Sequence, residues 1–173
     1  ELVLEGARAE LAEEFPGRAV RALAADVTDR EQRLEVYDWI ADLGSELHVL
    51  VNNVGHNLRR RTLDYDESEV RGLLETNVVS AFEMCRLAHP LLARHGQAAI
   101  VNIGSVYGVL GLNPGLYDAF TEEGAAGPRR QPAYHTSKGA ILNLTRDLAA
   151  AVARWGVTVN TISPGMVITE QSE

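Results

Sequence analysis

Apolar residues recur along this chain at two spacings, and the alternation between them predicts its elements. Leu4, Ala7, Leu11 and Phe15 stand three or four positions apart, one stripe of a helix that fills Glu1–Phe15 and stops at Pro16-Gly17. Arg18–Ala25 is a short apolar run that predicts a strand ending at Asp26. Thr28 with Glu31 three residues later forms a capping-box pattern that opens a helix reaching about Leu43. Leu47–Val51 predicts the next strand, closed by Asn52-Asn53 and Gly55, and a long helical stretch follows from Asp66 to His95, with a kink expected at Pro90. Ala99–Ile103 predicts a strand. Tyr134–Trp155 predicts a helix with Ile141, Leu144, Leu148, Val152 and Trp155 on one stripe, and Val157–Ile162 a final strand before Pro164-Gly165.

Short apolar strands alternating with amphipathic helices predict right-handed crossovers and a parallel sheet with helices on both faces: a single doubly wound α/β domain. In such sheets ligands lie beyond the carboxyl ends of the strands. The positions to inspect are therefore Asp26, Asn52–Gly55, Gly104-Ser105 and Ser163–Thr169, all dominated by polar residues and glycine. Gly111–Pro132 is a Gly/Pro-rich stretch between a strand and a helix, long enough to be a functional insertion.

Composition narrows the partners. The 173 residues are 46% hydrophobic and 23% charged, which fits one globular domain, and a net charge of −8 argues against nucleic acid and anionic membranes and for a small-molecule partner. No apolar run approaches the roughly 18 residues of a membrane span. Glu1–Phe15 lacks the basic start and apolar centre of a signal peptide. A single cysteine, Cys85, rules out internal disulfides and reads as a buried small apolar group, so a reducing, cytoplasmic setting is expected. The five histidines form no HExxH motif and no close pair in sequence, so no metal site is expected. Arg59-Arg60-Arg61 reads as a solvated loop rather than an anion clamp.

Fifteen of the sixteen basic residues are arginine; the only lysine is Lys138. It stands four positions after Tyr134 in YHTSK, so phenol and ammonium lie one helical turn apart on the same face. A free phenol ionises near 10 and a neighbouring cation favours the phenolate, which would suit proton transfer at neutral pH. A chance surface pair is the plain alternative, but a chain that uses arginine everywhere else places its one compact ammonium here. Ser105, in NIGSVYG, ends a strand and could hold a substrate carbonyl oxygen or simply cap a turn. Asn52-Asn53-Val54-Gly55 could likewise be a turn, or a place where a cofactor ring approaches backbone that has no Cβ to block it.

Taken in order, these motifs resemble the short-chain dehydrogenase/reductase family over essentially the whole chain. NNVG is similar to the family's NNAG, Ser105 with Tyr134 and Lys138 to its Ser and Tyr-x-x-x-Lys constellation, and SPGMVIT to its PG segment. Asn77 in ETNVVSAF resembles the fourth catalytic position, and Asp26 in ADVTD the adenine contact. LVNNVG, TLDY, TNVVSAF and LAHPLL most resemble the tropinone-reductase-like members. The resemblance implies a Rossmann-like fold and a hydride transfer between NAD or NADP, with NADP favoured, and a carbonyl or alcohol. It implies catalytic roles for Asn77, Ser105, Tyr134 and Lys138: Tyr134 exchanges the proton, Lys138 also holds the nicotinamide ribose, Ser105 orients the oxygen and Asn77 holds a relay water. Cofactor contacts are implied for Asp26, Val27, Asn53, Val54, Gly55, Tyr134, Lys138, Pro164, Gly165, Val167 and Thr169.

Three departures stand out. The family's Gly-rich phosphate turn is not found upstream of Glu1, the substrate lid is not found after Tyr134's helix and final strand, and Ser105 and Tyr134 are spaced further apart than is usual, which marks 111–132 as an insertion. A domain incomplete at both ends is therefore expected. The alternatives kept open are a non-catalytic nucleotide-binding or regulatory protein of the same fold, and a serine hydrolase pairing Ser105 with His135; the latter lacks a GxSxG elbow, since position 103 is Ile. Small residues on the two long helices (Ala81, Cys85, Ala88; Ala140, Ala149, Ala153) predict a homodimer or homotetramer packed through those helices.

Overall fold

A computed structural model describes residues 2–44, 46–61, 64–113 and 129–165. Along the chain run α1 (Leu2–Glu14), α2 (Arg30–Asp42), β1 (Val49–Asn52), β2 (Arg60–Arg61), α3 (Glu67–Leu74), a π turn (Glu75–Val79), α4 (Ser80–His95) and β3 (Ala98–Ile103). A 3-10 turn (Val106–Gly108), β4 (Arg129–Arg130), α5 (Pro132–Val152), a second 3-10 turn (Ala153–Trp155) and β5 (Val157–Ile162) complete it. Strands β1, β3 and β5 form a parallel sheet in that order, and β2 pairs antiparallel with β4.

Most elements form where the hydrophobic pattern places them, and the exceptions have physical causes. Residues 18–25, expected as a strand, join no ladder: a strand needs a neighbour for its backbone groups, and none of the described strands lies beside it. Helix α1 forms, yet Leu11 and Phe15 remain 45% and 50% exposed. The cap of α2 is Asp29 rather than Thr28. One Asp29 carboxylate oxygen accepts from the Glu31 and Gln32 N–H groups at 2.8 and 3.0 Å, while the Thr28 hydroxyl donates to Asp26. A charged acceptor is favoured at the positive end of a helix. The long helix changes winding at the π turn rather than at Pro90, which sits inside α4 without ending it. Thr76 lies in the turn and Ser80 follows it, and their hydroxyls donate back to the Gly72 and Thr76 carbonyls, an arrangement that bends helices.

The core lies between one face of the sheet and helices α4 and α5. Ala88, Leu92, Ile100 and Val157 are its most deeply buried members, and the Tyr37 hydroxyl donates to the Met84 carbonyl to hold α2 on α4. Cys85 and Ala88, expected on an outer helix contact, instead face this core, and Ala81 is buried as well. Small side chains there let α4 sit close to β1, and the Asn52 amide reaches the Cys85 sulfur at 3.2 Å. Burial pushes the Cys85 thiol up to about 11. The outer side of α4 and the preceding turn carries Phe82 and Val79, 42% and 40% exposed.

On the other face of the sheet Val49, Val51 and Ile162 are more than half exposed, so the described elements cover one face, where the pattern predicts two. A polar row crosses the covered face just below the carboxyl ends of the strands. The Asn52 amide donates to Asn102 at 2.9 Å, the Asn102 amide to the Thr145 hydroxyl at 2.9 Å, and the Thr161 hydroxyl to the same oxygen at 2.7 Å. Thr145 passes its own proton to the Ile141 carbonyl within α5. Every member is satisfied, so the row fixes the register of three strands and one helix at once. Among the described residues no helix is long and apolar enough to cross a membrane.

Gly156 closes the turn into β5 with a φ of +70°, and a Cβ there would land on the Gly96 carbonyl oxygen. Gly156→Ala is therefore expected to destabilise the chain by about 2 kcal/mol or more, read as a lowered urea midpoint with an unchanged slope.

Candidate active site

Helix α5 starts at Pro132, whose fixed φ suits a first helical position, and its first turns carry Tyr134, Ser137 and Lys138. Lys138 is 6% exposed, and its ammonium donates to the Ile103 carbonyl at 2.7 Å, the last residue of β3. The ammonium lies 5.7 Å from the centre of the Tyr134 ring. An ammonium has three donors, so two remain for groups in the space before it. Burial holds Lys138 below the usual ammonium range.

That space is a cleft of about 250 Å³ beyond the carboxyl ends of the strands. It takes in Asn53, Gly55, Ser105, Tyr134, Lys138, Pro164 and Gly165 of the expected site residues, with His56 and Asn57 beside them. Backbone bonds knit its walls: the Gly104 N–H donates to the Ile162 carbonyl at 2.7 Å and the Val106 N–H to the Pro164 carbonyl at 3.1 Å. Gly104 has no room for a side chain, because a Cβ would lie 2.6 Å from Thr161 Cγ2 and 2.9 Å from Ser163 Oγ. Ser105 caps a turn, one of its two readings, and it also stands at the cleft. Its oxygen accepts from the Tyr107 N–H at 3.2 Å to cap the 3-10 turn, and the residue still borders the cleft.

Asn77 lies just behind the cleft, in the π turn, a type of helix irregularity frequent at functional sites. Its carbonyl oxygen accepts from the His56 N–H at 2.9 Å, and its amide donates to the His56 carbonyl at 2.9 Å and the Ser137 hydroxyl at 3.0 Å. Ser137 in turn donates to the Tyr134 carbonyl at 2.7 Å. One side chain thus links the loop after β1 to α5. A Cβ on Gly55 would stand 3.2 Å from Asn77 Oδ1 and 3.7 Å from Lys138 Nζ, so glycine keeps this part of the cleft open.

Other expected positions fall elsewhere. Asp26, Val27 and Val54 do not line the cleft. The Asp26 carboxylate accepts from the Thr28 N–H and hydroxyl, which hold it below the usual carboxylate range, and the Val27 carbonyl accepts from the buried Arg33 guanidinium at 2.6 Å. Val167 and Thr169 lie outside the described residues, as does most of the insertion. No hydrogen bond joins His135 to Ser105; its ring stacks on Tyr107 with centroids 4.5 Å apart, which removes the pairing a serine hydrolase would use.

The sequence reading missed Ser137, His56 and Asn57, although all three sit inside or beside the motifs it used. It also missed the strap that holds the far end of the insertion. Arg60 and Arg130 face each other across the β2–β4 ladder, the Tyr65 hydroxyl approaches the Leu58 and Arg130 carbonyls at 2.6 and 2.9 Å, and the Asn57 amide donates to Gln131 at 2.8 Å. Arg60 also pairs with Glu69 of α3, while Arg59 and Arg60 both stay exposed, as a solvated run would.

Residues 3–173 match the family model described as Enoyl-(Acyl carrier protein) reductase. A chloroplastic tropinone reductase homologue of Arabidopsis thaliana is 32% identical over 158 residues, 91% of this chain and 44% of its own length. A solved NAD+-bound xylitol dehydrogenase superposes with a TM-score of 0.80 at 30% identity, covering 95% of this chain and 56% of that one. A Beutenbergia cavernae protein assigned as an NAD(P)-dependent gluconate 5-dehydrogenase, with NADP bound at low occupancy, gives 0.79 at 30% identity, over 97% and 59%. The chain thus spans about half the length of the curated relatives it matches. By sequence and by its Rossmann-type parallel sheet, the chain belongs to the short-chain dehydrogenase/reductase family.

Proposed function

We propose that this chain carries the proton-transfer site and the nicotinamide end of the cofactor site of an oxidoreductase acting on a carbonyl or alcohol. The observation that carries the reading is the buried Lys138 ammonium, held on the Ile103 carbonyl one helical turn from Tyr134 at the cleft that Ser105 borders. The residues fit a nicotinamide riboside: Gly55 leaves a cradle that a Cβ would narrow, and Lys138 faces it with two unused donors for ribose hydroxyls. The bound nicotinamide supplies the hydride. Solved relatives bind NAD+ in one case and NADP in another, and either form suits this cleft.

In reduction Tyr134 gives its phenolic proton to the substrate oxygen, which becomes the alcohol; in oxidation the phenolate takes that proton back. Ser105 donates its hydroxyl hydrogen to the same oxygen and fixes its position. The Lys138 cation supports the phenolate charge. Asn77 acts first as a positioning residue, since it holds His56 and therefore the Gly55 backbone, and its carbonyl oxygen keeps a lone pair for a relay water. Pro164, Gly165, Val167 and Thr169 are assigned to the carboxamide side of the cofactor, with Asn53 and Val54 along its path and Asp26 and Val27 at the adenine. Tyr134→Phe in the full-length protein is expected to keep the melting temperature and lose at least about 10²-fold in turnover, followed by nicotinamide absorbance with a carbonyl panel. Lys138→Arg is expected to fail comparably, because a planar fork cannot replace one compact charge beneath both phenol and ribose. Wild-type activity should also fall as pH rises through the lowered Lys138 value, below the ordinary lysine range, and the arginine variant's residual activity should lack that limb. Turnover of either variant within about threefold of wild type opposes the assignment.

The insertion at 111–132 is proposed as a wall of the substrate pocket. Its near end leaves the Ser105 turn, and its far end is strapped to the cleft loop through Tyr65 and the Asn57–Gln131 bond. Shortening residues 114–128 is expected to change the Michaelis constant or substrate ranking while nicotinamide affinity holds; an unchanged substrate profile in a folded protein contradicts it.

A homodimer or homotetramer is proposed through the outer side of α4, now on the exposed Phe82 and Val79 rather than the buried alanines. Light scattering at micromolar concentration should give a multiple of the subunit mass, and Phe82→Asp should lower it.

A further inference from the structure

The five histidines form no close pair in sequence, but the fold makes one. His48, which leads into β1, and His95, which ends α4, are 47 positions apart, yet their ring centroids lie 3.8 Å from each other, edge to face at 64°. Glu46 completes the cluster. One of its carboxylate oxygens is 3.4 Å from His95 Nδ1 and 3.7 Å from His48 Nε2, and a single donor atom from each residue lies within 4.8 Å of the other two. The cluster stands at the amino ends of the strands, away from the cleft, so it has no part in the chemistry proposed above.

A second observation bears on what the cluster faces. His48 Nδ1 is 3.2 Å from the Glu46 carbonyl oxygen. With its proton on Nδ1, His48 donates to that carbonyl, and this leaves a lone pair on Nε2 aimed at the Glu46 carboxylate. Metal-binding histidines are oriented in this manner, one nitrogen on a carbonyl and the other on the ion. The result is two nitrogens and an oxygen, all electron-rich, converging on one point at the surface. A cation among them answers all three at once, whereas an exposed ion pair answers two and contributes little.

We infer that Glu46, His48 and His95 form a site for a divalent first-row transition ion of the zinc type, with water completing the coordination. Two imidazoles and one carboxylate suit zinc or cobalt and not calcium or magnesium, which take mainly oxygen ligands. A tetrahedral zinc ion with bonds of roughly 2.0–2.2 Å sets its ligand atoms about 3.4 Å apart, close to the spacings of Glu46 to each ring. The side chains of His48 and Glu46 are 51% and 73% exposed, which leaves both room to adjust to an ion. The ion would pin the loop before β1 to the turn between α4 and β3, next to the tight Gly96–Gly156 contact. Binding to the folded chain alone would then stabilise it by mass action.

The test uses tag-free, chelator-stripped protein titrated with Co2+ and followed by visible absorption, then with Zn2+ as competitor and thermal melting as a second readout. One equivalent of Co2+ should give a saturable band that Zn2+ removes, and Zn2+ should raise the melting temperature. The His48→Gln/His95→Gln double variant and Glu46→Gln should each weaken Zn2+ binding at least about tenfold and lose the thermal shift. If the variants fail to fold, histidine acylation of the wild type, read by mass spectrometry, decides the matter: Zn2+ should protect His48 and His95 and leave His56 labelled. Absence of saturable binding, equal binding in the double variant, or equal labelling with and without Zn2+ overturns the proposal.

Discussion

A cation buried to 6% exposure has few places to go, and Lys138 has gone to one: the carbonyl that ends β3. Removing an ammonium from water is costly unless hydrogen bonds replace the lost hydration. The Ile103 carbonyl replaces part of it, and the cost is visible in the lowered pKa of the side chain. The rest of the site follows from this constraint. Helix α5 must bring its first two turns against the end of β3, and the 3-10 turn carrying Ser105 must lie close over the helix. Gly108 permits the approach, since a Cβ there would stand 2.9 Å from the Lys138 carbonyl. The Asn52–Asn102–Thr145–Thr161 row then holds helix and strands at the required height from below.

Across the cleft, one side chain does for the loop what Lys138 does for the helix. The Asn77 amide satisfies both backbone groups of His56, so the segment after β1 is held as if by another strand. The π turn is what aims it: the extra residue in the winding turns Asn77 inward without ending the helix that supports it. Along the same stretch the Thr76 and Ser80 hydroxyls donate to the Gly72 and Thr76 carbonyls. The cleft is thus held by hydrogen bonds on its Asn77 and Lys138 sides.

Much of this was legible in the sequence because local chemistry and tertiary placement agree. The stripe on α5, the apolar runs of β3 and β5 and the NNVG turn each depend on neighbours a few positions away. Tyr134 and Lys138 stand out by spacing and by the scarcity of lysine, and Ser105 by its place at the end of a strand. What was not legible depends on distant partners. Residues 18–25 carry strand character but have no adjoining strand among the described residues. Ala81, Cys85 and Ala88 look the same on a helical wheel whether they face a sheet or another subunit. The meeting of His48 with His95, and of Tyr65 with Arg130, is set by the return path of the chain, which no local pattern records. Thr28 and Asp29 differ by one position, and only the geometry of the first turn decides between them.

The burial of Lys138 also changes how this chain meets amine-directed chemistry. Arginine supplies every other basic side chain, so acylating, carbamylating or cross-linking reagents find a single lysine in the sequence, and that one is shielded at the floor of the cleft. The surface can be heavily modified at its carboxylates without any competing reaction at a side-chain amine. A reagent small enough to reach Lys138 would acylate one site of known surroundings, and filling the cleft would protect it. The same scarcity that drew attention to the residue makes it a built-in reporter of cleft occupancy.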